Sequence, residues 1–238
     1  MALVSATTIG MFLCTLPFCI IAVHSFREYL MDKQDPKKKH VFYAFLCFSA
    51  AFILNLIAYI FVLPDMSPGR FMAVTGLFKL FDAVNIAGVF WIFVFLTDFM
   101  RGMKKYLPLV FIHLGISLIL IFGMPYGVDI IDGTNYVKDR AAVSSLAILA
   151  FWFFYWGIVA YNFWSHSKLM TKRVAARRSQ MMSLGGVFSV LSYLCAIFSN
   201  VAASAILVHL ALFFATAAGI VFYAGFVAPE RLRRMWGE

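Results

Sequence analysis

Seven apolar stretches, each near the roughly 20 residues a helix needs to span a hydrocarbon core, constrain this chain more than any other feature. They cover about residues 5–26, 41–63, 71–99, 106–124, 141–164, 181–199 and 205–227, with short polar connections between them. The composition agrees: of 238 residues, 63% are hydrophobic and only 13% charged, whereas soluble domains carry roughly a quarter charged residues. The expected fold is an all-α integral membrane protein, a seven-transmembrane-helix bundle over 1–227 with a juxtamembrane tail over 228–238. Pro17 falls inside the first run and should kink it or remove one backbone hydrogen bond. The 71–99 run is long enough to tilt or protrude. The basic stretch over 165–180 is built of helix formers, so the helices on either side of it can extend past the bilayer. Between the fourth and fifth runs, Asp132-Gly133 among β-prone residues predicts a small hairpin.

Charge placement sets the topology. The net charge of +9 does not point to nucleic acid, because the basic residues sit in short loops between apolar runs. Three alternate connections and the tail hold 16 of the Lys and Arg residues. The other three connections hold only Arg70, Lys138 and Arg140, beside Asp65, Asp129, Asp132 and Asp139. The positive-inside bias then predicts an outside N-terminus and a cytoplasmic C-terminus. MALVSATTIG lacks a basic n-region, so no cleavable signal is expected. Cys14, Cys19, Cys47 and Cys195 all lie inside apolar runs, the setting of inert buried thiols rather than of a disulfide framework.

The third run carries the exceptional residues. Thr75, Lys79 and Asp82 share one narrow arc at 100° per residue, with Asn85 at its edge. Lys79 and Asp82 are three apart and can touch. An isolated charge at bilayer depth costs roughly 2.5–3.5 kcal/mol on insertion scales, which a co-facial pair turned into a protein interior avoids. At about 1.5 Å per residue, Asn55, Ser117, Ser145, Ser192, Tyr193, Cys14 and Thr15 fall in the same outer half, with His209 near the top of the seventh run. Together with an aromatic wall of Trp152, Tyr155 and Trp156, this layer predicts a pocket for a small ligand. The plainer alternative is that the Ser, Thr and Cys side chains bond their own helices, that Asn55 ties two helices together, and that the helix-5 aromatics only fill space. Asp98 and Arg101, three apart at the inner end of the third run, are candidates for a switch latch; the alternative is a solvated pair favoured by the helix C-terminus.

Chemistry-bearing motifs are sparse. No two of His24, His40, His113, His166 and His209 have metal-ligand spacing, so no metal or haem cofactor is expected. No nucleophile elbow, zinc-protease motif or phosphate loop occurs, which disfavours an enzyme. The seventh run has no lysine for a retinal Schiff base of the rhodopsin kind.

The exit segment carries a resemblance. FYAGFVAPERLRRMW, residues 222–236, resembles the stretch that closes the seven-helix N-terminal sensor region of prokaryotic histidine kinases and related signalling proteins. Pro229, Glu230 and the following arginines suit a short interfacial helix or a basic stop-transfer anchor. The resemblance implies a multi-pass sensor in a prokaryotic cytoplasmic membrane, read out by a cytoplasmic or membrane signalling protein. The chain stops at Glu238 without an output module, as expected of a fragment cut at that boundary or of a stand-alone sensor acting through a partner, or through a homo-oligomer. The leading expectation is therefore a receptor-like domain that binds a small molecule, lipid or partner helix in its outer half. A proton- or ion-coupled carrier and an accessory subunit of a membrane complex stand as alternatives; no inverted repeat supports the carrier.

Overall fold

The computed structural model describes residues 6–63, 66–130 and 136–237, apart from the side chains of Arg101, Ile130, Tyr136 and Val137. The expected helix start at residue 5, Asp65 and the Asp132-Gly133 turn lie outside the described residues. Among those described, seven helices are long and apolar enough to cross a membrane, the architecture of a multi-pass membrane protein. They are α1 (Ala6–Met31), α2 (Pro36–Phe61), α3 (Pro68–Phe99), α4 (Leu107–Gly123), α5 (Ala142–Ser167), α6 (Arg173–Ala202) and α7 (Ala205–Phe222). Strands β1 (Tyr126–Ile130) and β2 (Tyr136–Arg140) separate α4 from α5, and a short α8 (Glu230–Met235) closes the chain.

Local sequence explains several boundaries that hydropathy alone misplaces. α2 begins at Pro36, five residues before its apolar run, because Pro suits the first helical position and the Asp35 carboxylate accepts from the Lys37 N–H at 2.9 Å. Ser67 and Pro68 repeat the device at α3. α6 begins at Arg173, where a run of helix formers continues the apolar segment into polar sequence. α7 does not end cleanly. It widens into a π-helical turn over Tyr223–Val227, and Ala228 then adopts a left-handed φ of 46° before Pro229.

α1, α2, α3, α5, α6 and α7 pack in sequence, α7 closing on α1, and α4 lies outside against α3 and α5. Of each helix's most apolar stretch, 67% is buried for α3 and 22% for α4, so α3 is the central element. The outward faces are apolar too: Phe111, Ile119, Phe153 and Phe213 are all well exposed, a surface that suits lipid and not water. The interior is aromatic. Phe18 stacks on Phe52 at 4.7 Å and Phe48 on Trp156 at 5.9 Å. Gly88 leaves room for the Phe48 ring and Gly185 for the Phe222 ring; a Cβ at Gly88 would fall 2.5 Å from Phe48.

Candidate functional site

Helical periodicity brings Asp82 and Asn85 to the inner face of α3, where they are 1% and 3% exposed. The cation that meets Asp82 comes from the hairpin. Antiparallel pairing sets Tyr126 opposite Arg140 and Val128 opposite Lys138, so these four share one face of the ribbon. That face folds into the end of the bundle. The exposed Asp129 and Asp139 alternate onto the other face.

Arg140 grips Asp82 with two nitrogens: Nε lies 3.0 Å from Oδ2, and Nη2 donates to Oδ1 at 3.3 Å. The Tyr126 hydroxyl donates to Oδ2 at 2.9 Å. Arg140 Nη1 donates to the Tyr193 hydroxyl on α6 at 3.0 Å, and Tyr193 stacks on Trp152 of α5 at 5.1 Å. Lys138 Nζ stands 3.9 Å from Asp82 Oδ1 and 3.5 Å from the centre of the Phe81 ring. One carboxylate thus faces two buried cations. Burial pushes the Lys138 ammonium well below its usual pKa; Asp82 opposes this and the like charge of Arg140 adds to it. Burial works against the Arg140 charge more than any single neighbour favours it, but Asp82 together with Tyr193, Tyr126 and Tyr59 outweighs burial, and the guanidinium holds its proton more tightly. Burial, then Asp82, raises the Tyr126 phenol, which remains the neutral donor.

This geometry corrects the expected Lys79–Asp82 pair. Although the two lie near one arc, Lys79 turns towards α4 and β1: its ammonium donates to the Phe122 carbonyl at 3.1 Å and lies 5.5 Å from the Tyr126 ring centre. Asp82 points inward, where the bidentate guanidinium satisfies it better than a flexible ammonium would. Of the expected Asp98–Arg101 latch, Asp98 is seen paired with His40 Nδ1 of α2 at 2.7 Å, with His40 stacked on Trp91 at 5.6 Å. The side chain of Arg101 lies outside the described residues.

Beneath the ion cluster is a cavity of about 100 Å³, lined by Asn55, Asn85, Lys138, Arg140, Trp152 and Tyr193 among others. Four of these carry buried polar atoms without a hydrogen-bond partner: Arg140 Nε, whose 3.0 Å approach to Asp82 is an ion pair, and Asn55 Oδ1, Asn85 Oδ1 and Trp152 Nε1, which have no ionic partner either. Buried polar groups are nearly always satisfied, and each orphan costs about 1–3 kcal/mol. Three such atoms belong to residues that line one small cavity.

Other predicted residues fall elsewhere. Thr75 donates to the carbonyls of Phe71 and Met72 in its own helix, and Thr15 and Cys14 both donate to Met11, as the plainer reading of such residues expects. Tyr155 packs against Phe93, Phe151 and His113 rather than the cavity. Trp156 belongs to the aromatic interior, and His209 is exposed at the start of α7. Lys138, Arg140 and Tyr126 are the residues that helix-based reading misses. Their signal was present: Tyr136, Lys138 and Arg140 alternate with strand period, and a carboxylate deep in α3 requires a cation that the outer connections scarcely supply.

No protein-family model matches this chain, and no curated protein matches it.

Proposed function

We propose that this protein is a membrane sensor of the receptor-like class, which binds a small anionic molecule in the cavity beneath the hairpin and responds at its opposite, basic end. The observation that carries the reading is the set of orphaned polar atoms on cavity-lining residues, Asn55 Oδ1, Asn85 Oδ1 and Trp152 Nε1, beside a cluster with one more cation than anions. The two amide oxygens require donors from the ligand; Lys138, Arg140 and the indole N–H require acceptors. A compact hydroxy- or amino-carboxylate offers both, and a cavity of about 100 Å³ limits it to a few heavy atoms. The Lys and Arg distribution supports placing this end outside and the tail in the cytoplasm. The resemblance of residues 222–236 supports a prokaryotic cytoplasmic membrane and an output through a signalling partner.

The route to the far end is material. Phe52 lines the cavity, and ring contacts run from it through Phe18 (4.7 Å) and Phe45 (6.4 Å) to Phe226 (4.8 Å) in the π-helical turn. A ligand shifts that packing only by binding one arrangement better than another.

The test is thermal unfolding of the nanodisc-embedded protein against a panel of small hydroxy- and amino-carboxylates, wild type beside Asn85→Leu. A ligand at 100 times its Kd stabilises by about 2.7 kcal/mol. Stabilisation of wild type that Asn85→Leu abolishes supports the reading. No response to any acid, or an equal response in both proteins, removes the cavity from the mechanism.

A further inference from the structure

The basic end of the bundle holds a second, larger cleft of about 720 Å³ between α1, α2, α3, α5, α6 and the tail. Its lining brings together Lys37, Lys38, Lys172, Arg178 and Arg233 from well-separated parts of the sequence, with Glu28 as the carboxylate among them. Lys38 is engaged by Asp32 at 3.3 Å, and Arg178 donates to the Gly225 and Phe226 carbonyls at 2.9 and 2.8 Å. The exposed Lys37 and Lys172 by themselves outnumber Glu28 in the lining. The floor is of opposite character. Phe95 and Phe163 are buried beneath the cations, Phe99 is 41% exposed, and the Lys37 ammonium stands 4.4 Å from the Phe99 ring centre.

We propose that this cleft is a binding site for one anionic phospholipid, its phosphate among the cations and the first part of its acyl chains on Phe99 and the half-buried Val41, Met170 and Val174. Convergent like charges repel one another, and a phosphate relieves the repulsion while accepting several charge-assisted hydrogen bonds. A soluble anion would satisfy the charges but leave Phe99 and its apolar neighbours wet, and a zwitterionic lipid would cover them but bring its own cation. An anionic amphiphile covers both. Generic attraction of a basic membrane face does not require the cations to converge on a cavity with an apolar floor. The proposal is independent of what occupies the hairpin-end cavity.

The test uses the full chain in nanodiscs of phosphatidylcholine with increasing phosphatidylglycerol, followed by native mass spectrometry. Lys37→Ser/Lys172→Ser removes two exposed cleft cations; Lys104→Ser/Lys105→Ser removes two from the 3-10 turn over Arg101–Tyr106, outside the cleft. Wild type and the Lys104/Lys105 variant should each retain one phosphatidylglycerol. The cleft variant should bind it about thirtyfold more weakly, at about fivefold per lysine. Equal loss in both variants would reduce the effect to the basic face as a whole and overturn the site. So would a wild type that retains no phosphatidylglycerol. Displacement of the lipid by excess inorganic phosphate would show that a soluble anion is the occupant and overturn the lipid assignment. Unchanged unfolding temperatures in both variants check that the fold is intact.

Discussion

Removing the Asp82 carboxylate distinguishes the pairing seen in the structure from the pairing its sequence spacing suggests. In Asp82→Ala, Arg140 and Lys138 are left buried with 4% and 8% exposed side chains and no anion. Breaking a buried ion pair from one side costs about 3–5 kcal/mol. Arg140→Ala strands the carboxylate and should cost a similar amount. The Asp82→Ala/Arg140→Ala double variant removes both charges, so its cost should fall short of the sum of the single effects by about 2–3 kcal/mol. Lys79→Ala loses one hydrogen bond to the Phe122 carbonyl and one cation–π contact, about 1–2 kcal/mol together. Its effect should add to that of Asp82→Ala within about 0.5 kcal/mol. The assay is reversible unfolding in mixed micelles by titration with dodecyl sulfate, followed by tryptophan fluorescence. Strong coupling of Asp82 with Lys79, and additivity with Arg140, would refute the assignment of the hairpin arginine as the partner.

Four further outcomes follow from particular contacts. Asn85→Leu replaces an orphaned buried amide by an apolar group of similar size and should stabilise the unliganded protein by about 1 kcal/mol while abolishing ligand binding; the same micelle titration reads it. Gly88→Ala sets a methyl against the Phe48 ring and should destabilise by about 1–3 kcal/mol, whereas Gly76→Ala and Gly157→Ala enter open space and should stabilise by about 0.5–1 kcal/mol through helix propensity. His40→Ala and Asp98→Ala should couple by about 1 kcal/mol in a double-variant cycle, because the pair is made across helices at 2.7 Å. Lys138 is depressed by burial, with Asp82 and Arg140 facing it, so the anion proposed above would favour its protonated form: affinity should fall as pH rises from the depressed value towards about 10.4, the ordinary lysine value. In the unliganded protein the folded state holds fewer protons than the unfolded one over that window, so stability rises with pH there. Calorimetric titration in buffers of different ionisation enthalpy detects the proton uptake, and pH-independent binding would refute it.

The sequence by itself determined the number and approximate extent of the long helices, the concentration of cations at one end and the inward polar arc of α3. These are local properties: apolar run length, loop composition and a 3.6-residue period are written in neighbouring residues. Asn55, Asn85, Trp152 and Tyr193 were therefore legible as candidates, and all four line the cavity. Partner choice was not legible. Asp82 has Lys79 three residues away and Arg140 fifty-eight away; only the docking of the hairpin face into the bundle makes the distant cation the nearer and better-shaped one. Asp98 likewise meets His40 of α2, fifty-eight residues away. Spacing along a helix says which side chains share a face, but tertiary packing decides what each meets, because a buried charge takes the partner that best replaces its lost water.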